Sequence, residues 1–289
     1  MKLLGLKSAR GKGMAADAEK LVELAASLKK PITLMGTPVA ALAAEAVAAA
    51  AAPEVVDDLD DDFGGTVLVL PPAEVAENID RVDKRIAAAP VRVRTPPRPG
   101  KKLLVLDIDY TLIDHKSTVE RPMEMARPFL HSFLSAVYEH YDIAIWSATS
   151  MKWVELKMQE MGVLGHDAFD VSFMLCSRSM ITCLTRKYGA KSCKPLQRIW
   201  RDEVFDGRYT PTNTIMLDDC GRNFVMNSQN GLKIRPYRNC HTNRATDSEL
   251  AKLARYLLAI GSLPSLSELD HSKWERWLRR HDRKQRGSG

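Results

Sequence analysis

The residues best equipped for chemistry are two aspartates one residue apart, Asp107 and Asp109, followed by Thr111, and a second acid pair, Asp218-Asp219. Asp107-Ile108-Asp109 closes the apolar run Leu103-Leu104-Val105-Leu106, the pattern of a fully buried strand of a parallel sheet whose carboxyl end opens into a site. Strand side chains alternate faces, so the two carboxylates point the same way and Ile108 turns back into the core. Carboxylates that close repel unless a cation or a shared proton lies between them, and a divalent metal is the simplest resolution.

Elements to hold such a site recur along the chain. An amphipathic helix is expected over residues 127–138, with Phe129, Phe133, Leu134 and Val137 on one face, then a buried strand over 141–146 running into Ser147-Ala148-Thr149-Ser150. Helical spacing resumes over 151–161 and stops at Gly162, and residues 174–181 carry a weaker pattern. A strand over 212–217 ends at Asp218-Asp219, a short one covers 231–234, and helices over 247–260 and 272–280 follow. Strands alternating with helices predict an α/β fold, a doubly wound parallel sheet with helices on both faces.

Upstream, residues 1–38 hold two short apolar segments, KLLGLK and ITLMGTP, around a helix-like stretch. Residues 39–94 read as an alanine-rich and acidic linker, with room for a strand over 67–70 and a helix over 73–89. The proline-rich Thr95-Pro96-Pro97-Arg98-Pro99-Gly100 then puts a boundary near residue 95, leaving 95–281 as the main domain and 282–289 as a basic tail.

The composition narrows the classes. The 289 residues carry 42 Lys and Arg against 36 Asp and Glu, a net charge of +6 that suits anionic partners. Basic and aromatic residues are not interleaved, so no nucleic-acid partner is expected. The five cysteines form no C-x-x-C pair, which argues against a zinc site or a disulfide framework. No apolar run reaches membrane-spanning length, so no membrane partner is expected either, and the chain reads as a soluble intracellular monomer.

Asp107-Ile108-Asp109-Tyr110-Thr111 matches the D-x-D-x-T signature of the haloacid dehalogenase-type phosphotransferases. Ser147 stands where that superfamily places a phosphate-binding Ser or Thr, Lys194 in Cys193-Lys194-Pro195-Leu196 where it has its lysine, and Asp218-Asp219 where it has its last acidic motif. Each has a plain alternative: a helix cap, a surface lysine, an acidic turn. Their occurrence together and in order favours the superfamily. More narrowly, GKKLLVLDIDYTL, DIAIWSATSMKW, NTIMLDDCGRNF and NGLKIRPY resemble the ubiquitin-like domain-containing CTD phosphatases, nuclear relatives of the small FCP/SCP-type phosphatases, and residues 1–38 resemble the second half of a ubiquitin-like domain.

The resemblance implies a Mg²⁺-dependent protein serine/threonine phosphatase of the nucleus. Its expected substrates are phosphosites of the 26S proteasome regulatory particle and of the RNA polymerase II C-terminal repeats. Phosphomonoester hydrolysis then assigns the roles. Asp107 is the nucleophile and a metal ligand, and Asp109 ligates through its backbone carbonyl while its carboxyl acts as acid and base. Thr111, Ser147 and Ala148 bind phosphate together with Lys194, which also keeps Asp107 ionised. Asp219 is the first choice for the remaining ligand, with Asp218 beside it as a second ligand or support. Arg222 and Asn223 follow as candidates to brace the metal site, a turn and cap being the competing reading. The short excursion from Thr111 to Arg127 leaves no room for a folded lid, which favours a protruding phosphorylated side chain. Segment 151–193 is long enough for a partial cap and keeps a small-molecule phosphatase open. A non-catalytic ubiquitin-like adaptor is the reading from another class, and the complete acid and lysine set speaks against it. The basic stretch from Trp274 to Arg286 suits nuclear import or an acidic partner.

Overall fold

The computed structural model describes residues 72–185 and 189–287; the ubiquitin-like segment, the acidic run and the strand expected over 67–70 lie outside them. In chain order the elements are α1 (Pro72–Ala88), β1 (Lys102–Leu106), α2 (Leu130–Val137), β2 (Tyr141–Trp146), α3 (Met151–Glu160), β3 (Val171–Leu175), β4 (Ile181–Thr185), β5 (Gly189–Cys193), α4 (Gln197–Trp200), β6 (Thr214–Asp218), β7 (Gly231–Lys233), α5 (Cys240–Asn243), α6 (Glu249–Gly261) and α7 (Trp274–Gly287).

Five strands form one parallel sheet in the order β3-β2-β1-β6-β7. The order reverses direction at β1, so the crevice beyond its carboxyl end is the natural ligand position of a doubly wound sheet. The period-two alternation is visible in the core. Leu104, Leu106, Ile143, Ile145, Ile215 and Leu217 face one layer with Phe133, Leu134, Leu253 and Leu257 from α2 and α6. Leu103, Val105, Ala144, Trp146 and Met216 face the other, against Ile199, Phe205 and Tyr209. All of β2 is buried, including Asp142, which accepts from the Arg98 amide (3.0 Å), Arg98 Nε (2.7 Å) and Tyr209 Oη (2.9 Å). A buried carboxylate requires such partners, and these fasten the proline-rich approach segment to the sheet.

Three elements differ from expectation. α2 starts at Leu130 because Pro128 precedes Phe129, whose φ of 68° is left-handed and not helical. The edge strand β3 begins before the weak 174–181 pattern, and its Ser172 carbonyl accepts from the amides of Arg94 and Thr95 at 2.7 and 3.2 Å. Between it and Lys194 lies an antiparallel hairpin, β4–β5, whose alternating inward residues Ile181 and Cys183 pack with Val82 of α1. Residues 72–88, placed with the linker on sequence grounds, thus lie against this hairpin. The stretch from Thr111 to Arg127 carries a single 3-10 turn, Pro122–Glu124. Among the described residues no helix is long and apolar enough to cross a membrane, and the five cysteines are free.

Candidate active site

β1 delivers the first acids. Its register with β6 pairs Leu106 with Leu217, and the Asp107 amide continues it with a 3.0 Å bond to the Leu217 carbonyl, so Asp107 arrives beside Asp218 at the same sheet edge. The chain then turns sharply: the amides of Thr111, Leu112 and Ile113 all donate to the Ile108 carbonyl, and Tyr110 takes a φ of 60°. Buried Arg127 locks this turn, donating to the Thr111 carbonyl at 3.2 Å and through Nη2 to Asp247 at 2.8 Å. Thr111 is fully buried, and its hydroxyl has no hydrogen-bond partner within the protein.

At the centre, the Lys194 ammonium bonds the Asp107 carboxylate and reaches Asp218 Oδ2 at 2.7 Å. Lys194 is almost wholly buried. Burial alone lowers a lysine's pKa, but Asp107 and Asp218 outweigh it and hold the ammonium well above its ordinary value. Asn223 donates to both oxygens of Asp218 at 2.9 and 2.8 Å, and the Cys220 amide adds 2.8 Å to Oδ1. The Asn223 carbonyl accepts from the Lys194 amide at 3.3 Å, so the 3-10 turn Gly221–Phe224 supports lysine and aspartate together.

Asp107, Asp218 and Asp219 each offer a carboxylate oxygen within 4.8 Å of the others. Burial, then the charges of Asp218 and Asp109, push Asp107 up to about 7 against the pull of Lys194. Burial, then Asp218 and Asp107, push Asp219 to about 8. The cluster therefore holds more negative charge than one lysine compensates, and its donors are all oxygen, the set a hard divalent cation such as Mg²⁺ takes. By that test the residues fit the metal.

Ser147 directly follows β2 and is fully buried. It does not cap α3, whose N-cap position falls to Ser150; its hydroxyl instead lies 2.9 Å from Thr149 Oγ1 and accepts from the Thr149 amide at 3.2 Å. Ala148 is exposed in the same loop. The Asp109 carboxylate stands apart from the three-acid cluster, bonded at Oδ1 by Lys157 Nζ at 2.5 Å with His115 Nδ1 at 3.4 Å. Sequence reasoning missed Lys157 and His115; the one signal for Lys157 was its place beside the inward-facing Met158 of α3.

A parallel α/β sheet with this acid and lysine cluster at its reversal point is the arrangement of a phosphotransferase of the haloacid dehalogenase type, and residues 102–267 match the NLI interacting factor-like phosphatase family. A Xenopus laevis ubiquitin-like domain-containing CTD phosphatase is 48% identical over 281 residues, covering 96% of this chain and 85% of the relative. The human relative is 47% identical with the same coverage, and one from Arabidopsis thaliana is 52% identical over 226 residues, covering 78% of this chain and 65% of its own. Fission yeast Fcp1, an RNA polymerase II CTD phosphatase solved with beryllium fluoride, aligns with a TM-score of 0.41 at 13% identity, over 65% of this chain and 66% of its own. The chain belongs to the ubiquitin-like domain-containing CTD phosphatases and is a protein phosphatase.

Proposed function

We propose that this chain is a Mg²⁺-dependent protein serine/threonine phosphatase that works through an aspartyl-phosphate on Asp107. The observation that carries the reading is the buried Asp107 carboxylate, bonded by Lys194 and set among Asp218 and Asp219 at the end of β1. Asp107 attacks phosphorus, and the P–O bond to the seryl or threonyl oxygen breaks while Asp109 supplies that oxygen with a proton. Asp109 then takes a proton from the water that cleaves the aspartyl-phosphate to inorganic phosphate. The Thr111 and Ser147 hydroxyls and the Ala148 amide donate to the phosphoryl oxygens, and Lys194 neutralises them. Carboxylates of Asp107, Asp218 and Asp219 with the Asp109 carbonyl would hold Mg²⁺, which when bound adds positive charge where the transferring phosphoryl group develops negative charge.

As substrates we propose phosphoserine and phosphothreonine sites of RNA polymerase II C-terminal repeats and of the proteasome regulatory particle, in the nucleus, acted on by a monomer. The names of the relatives and the single short 3-10 turn between Thr111 and Arg127, the stretch in which a lid would lie, support a protein substrate. The test is Asp107→Asn: hydrolysis of p-nitrophenyl phosphate should be abolished with the thermal transition retained, and turnover in a folded variant would refute the nucleophile. Faster turnover of sugar phosphates than of phosphoserine peptides would instead favour the small-molecule reading.

A further inference from the structure

Lys157 belongs to none of the motifs that drew attention to the site, yet it makes the closest contact to Asp109. α3 begins just beyond the Ser147 loop, its Val154 and Met158 are fixed in the core, and Lys157 projects back to Asp109 Oδ1 at 2.5 Å. His115 reaches the same oxygen at 3.4 Å, beyond ordinary hydrogen-bond length, so the lysine is the effective partner. Both ends of the ion pair are half-buried, with side-chain exposures of 19% and 20%, so solvent screens it only in part.

A carboxyl group rotates freely about its last torsion unless something holds it. With Oδ1 pinned by an ammonium, that torsion is held and Oδ2 is the oxygen left for proton transfer. We propose that Lys157 is a positioning residue for the acid–base step, fixing one oxygen of Asp109 so that the other hands over and retrieves the proton. The inference rests on the acid–base role given to Asp109 above. As the P–Oγ bond breaks, its electron pair goes to the seryl oxygen, and the proton on Asp109 Oδ2 follows. The resulting carboxylate faces the Lys157 ammonium. In the second step Oδ2 takes the proton of the attacking water as that oxygen bonds to phosphorus and the Asp107–phosphate bond breaks. Pre-orientation of this kind lowers the barrier without new contacts to substrate.

The leaving group separates this role from a structural one. Serine must leave with a proton, whereas p-nitrophenolate leaves without help. In the full chain with Mg²⁺, single-turnover phosphorylation of Asp107 is measured for Lys157→Met, Lys157→Gln, Lys157→Arg and Asp109→Asn. With a phosphoserine peptide, Met and Gln should lower the rate roughly 10- to 100-fold, within the range of general acid–base effects, while KM holds and Arg restores most of it. With p-nitrophenyl phosphate all three should stay within about threefold of the parent, since that step needs no acid. If Asp109→Asn displays this substrate split and the Lys157 variants slow both substrates alike or neither, the inference is overturned and the Asp109 reading stands. If Asp109→Asn slows both alike, the Asp109 reading itself fails.

Discussion

Replacing Lys194 by Met tests the electrostatic centre of the site most sharply. The side chain is buried and bonded to Asp107 and Asp218, and its removal leaves three clustered carboxylates with no cation. Methionine fills much of the volume, so cavity loss is small and the charge dominates. The fold can escape by taking up protons. Burial and like charge already push Asp107 and Asp219 up to about 7 and 8, so near neutrality one further proton taken up by the cluster relieves most of the repulsion. An aspartate in the unfolded chain titrates near 3.9, so holding one neutral at pH 7 costs about 3 pH units at about 1.36 kcal/mol each, or about 4 kcal/mol. That agrees with the 3–5 kcal/mol lost on average when one partner of a buried ion pair is removed. At pH 5 only about one unit remains, and the deficit should shrink to about 1.5 kcal/mol. The sign follows from linkage: the variant's carboxylates have raised folded pKa values, so its stability is fullest in acid and declines as pH rises. The assay is urea unfolding of parent and variant in EDTA at both pH values, with phosphatase activity lost throughout. A variant as stable as the parent at pH 7, or one whose deficit widens on acidification, would refute the reasoning.

Further outcomes are expected elsewhere. Asp219→Asn should weaken Mg²⁺ binding roughly tenfold or more, measured by calorimetry, with little change in unfolding midpoint in EDTA; unchanged affinity would remove Asp219 from the ligand set. Gly231→Ala places a Cβ 2.4 Å from the ring of Phe224 and should cost about 1–3 kcal/mol, so a neutral result in denaturant titration would contradict the packing of β7 on the turn that holds Asn223. Burial pushes His271 down from 6.5 to about 4, with Tyr256 Oη at 2.8 Å on Nδ1 and the Leu266 carbonyl at 3.1 Å from Nε2. A depressed histidine stabilises the fold fully above its unfolded value and loses that contribution as pH falls, so the part of the stability that His271 supplies should fall by about 1.4 kcal/mol between pH 7.5 and 5.5, against the opposite trend of Asp107 and Asp219. His271→Gln, which can keep both bonds, should lose less stability than the parent, or gain more, by that amount on acidification, and a parent–variant difference that does not change with pH would refute the assignment to His271.

What could be read from the sequence follows from what fixes each element locally. β2 is buried on both faces, so its apolar run sets both ends without knowledge of its neighbours, and the structure places it over the same residues, Tyr141–Trp146. β1 is likewise apolar until Asp107, where the chemistry interrupts the run. The hairpin β4–β5 gave no such signal, because Thr182, Leu184, Ala190 and Ser192 are exposed and its inward face depends on α1, about a hundred residues earlier in sequence. Ser147 and Asp218 were legible because each sits where an apolar strand stops and its backbone course aims the side chain, whereas Lys194, which follows the hairpin strand β5, was legible only through the resemblance to the superfamily. Lys157 was not: it lies inside a helix and 48 residues from Asp109, and the torsions of a long side chain decide where its ammonium goes.

That contrast bears on how the site is built. Asp107 and Asp218 come from strand ends on one edge of the five-stranded sheet, where pleat and register determine direction to within the spacing of a residue, and Lys194 reaches them from the end of the separate β4–β5 hairpin. The lysine that steadies Asp109 comes from α3, whose start is tied to the Ser147 loop. A shift of α3 by a fraction of a turn would therefore move Lys157 and the Ser147 loop together, because Val154 and Met158 hold the helix as one piece in the core. In the proposed mechanism this couples phosphate contact to acid–base geometry through one packed helix, so that the two stay in register with one another.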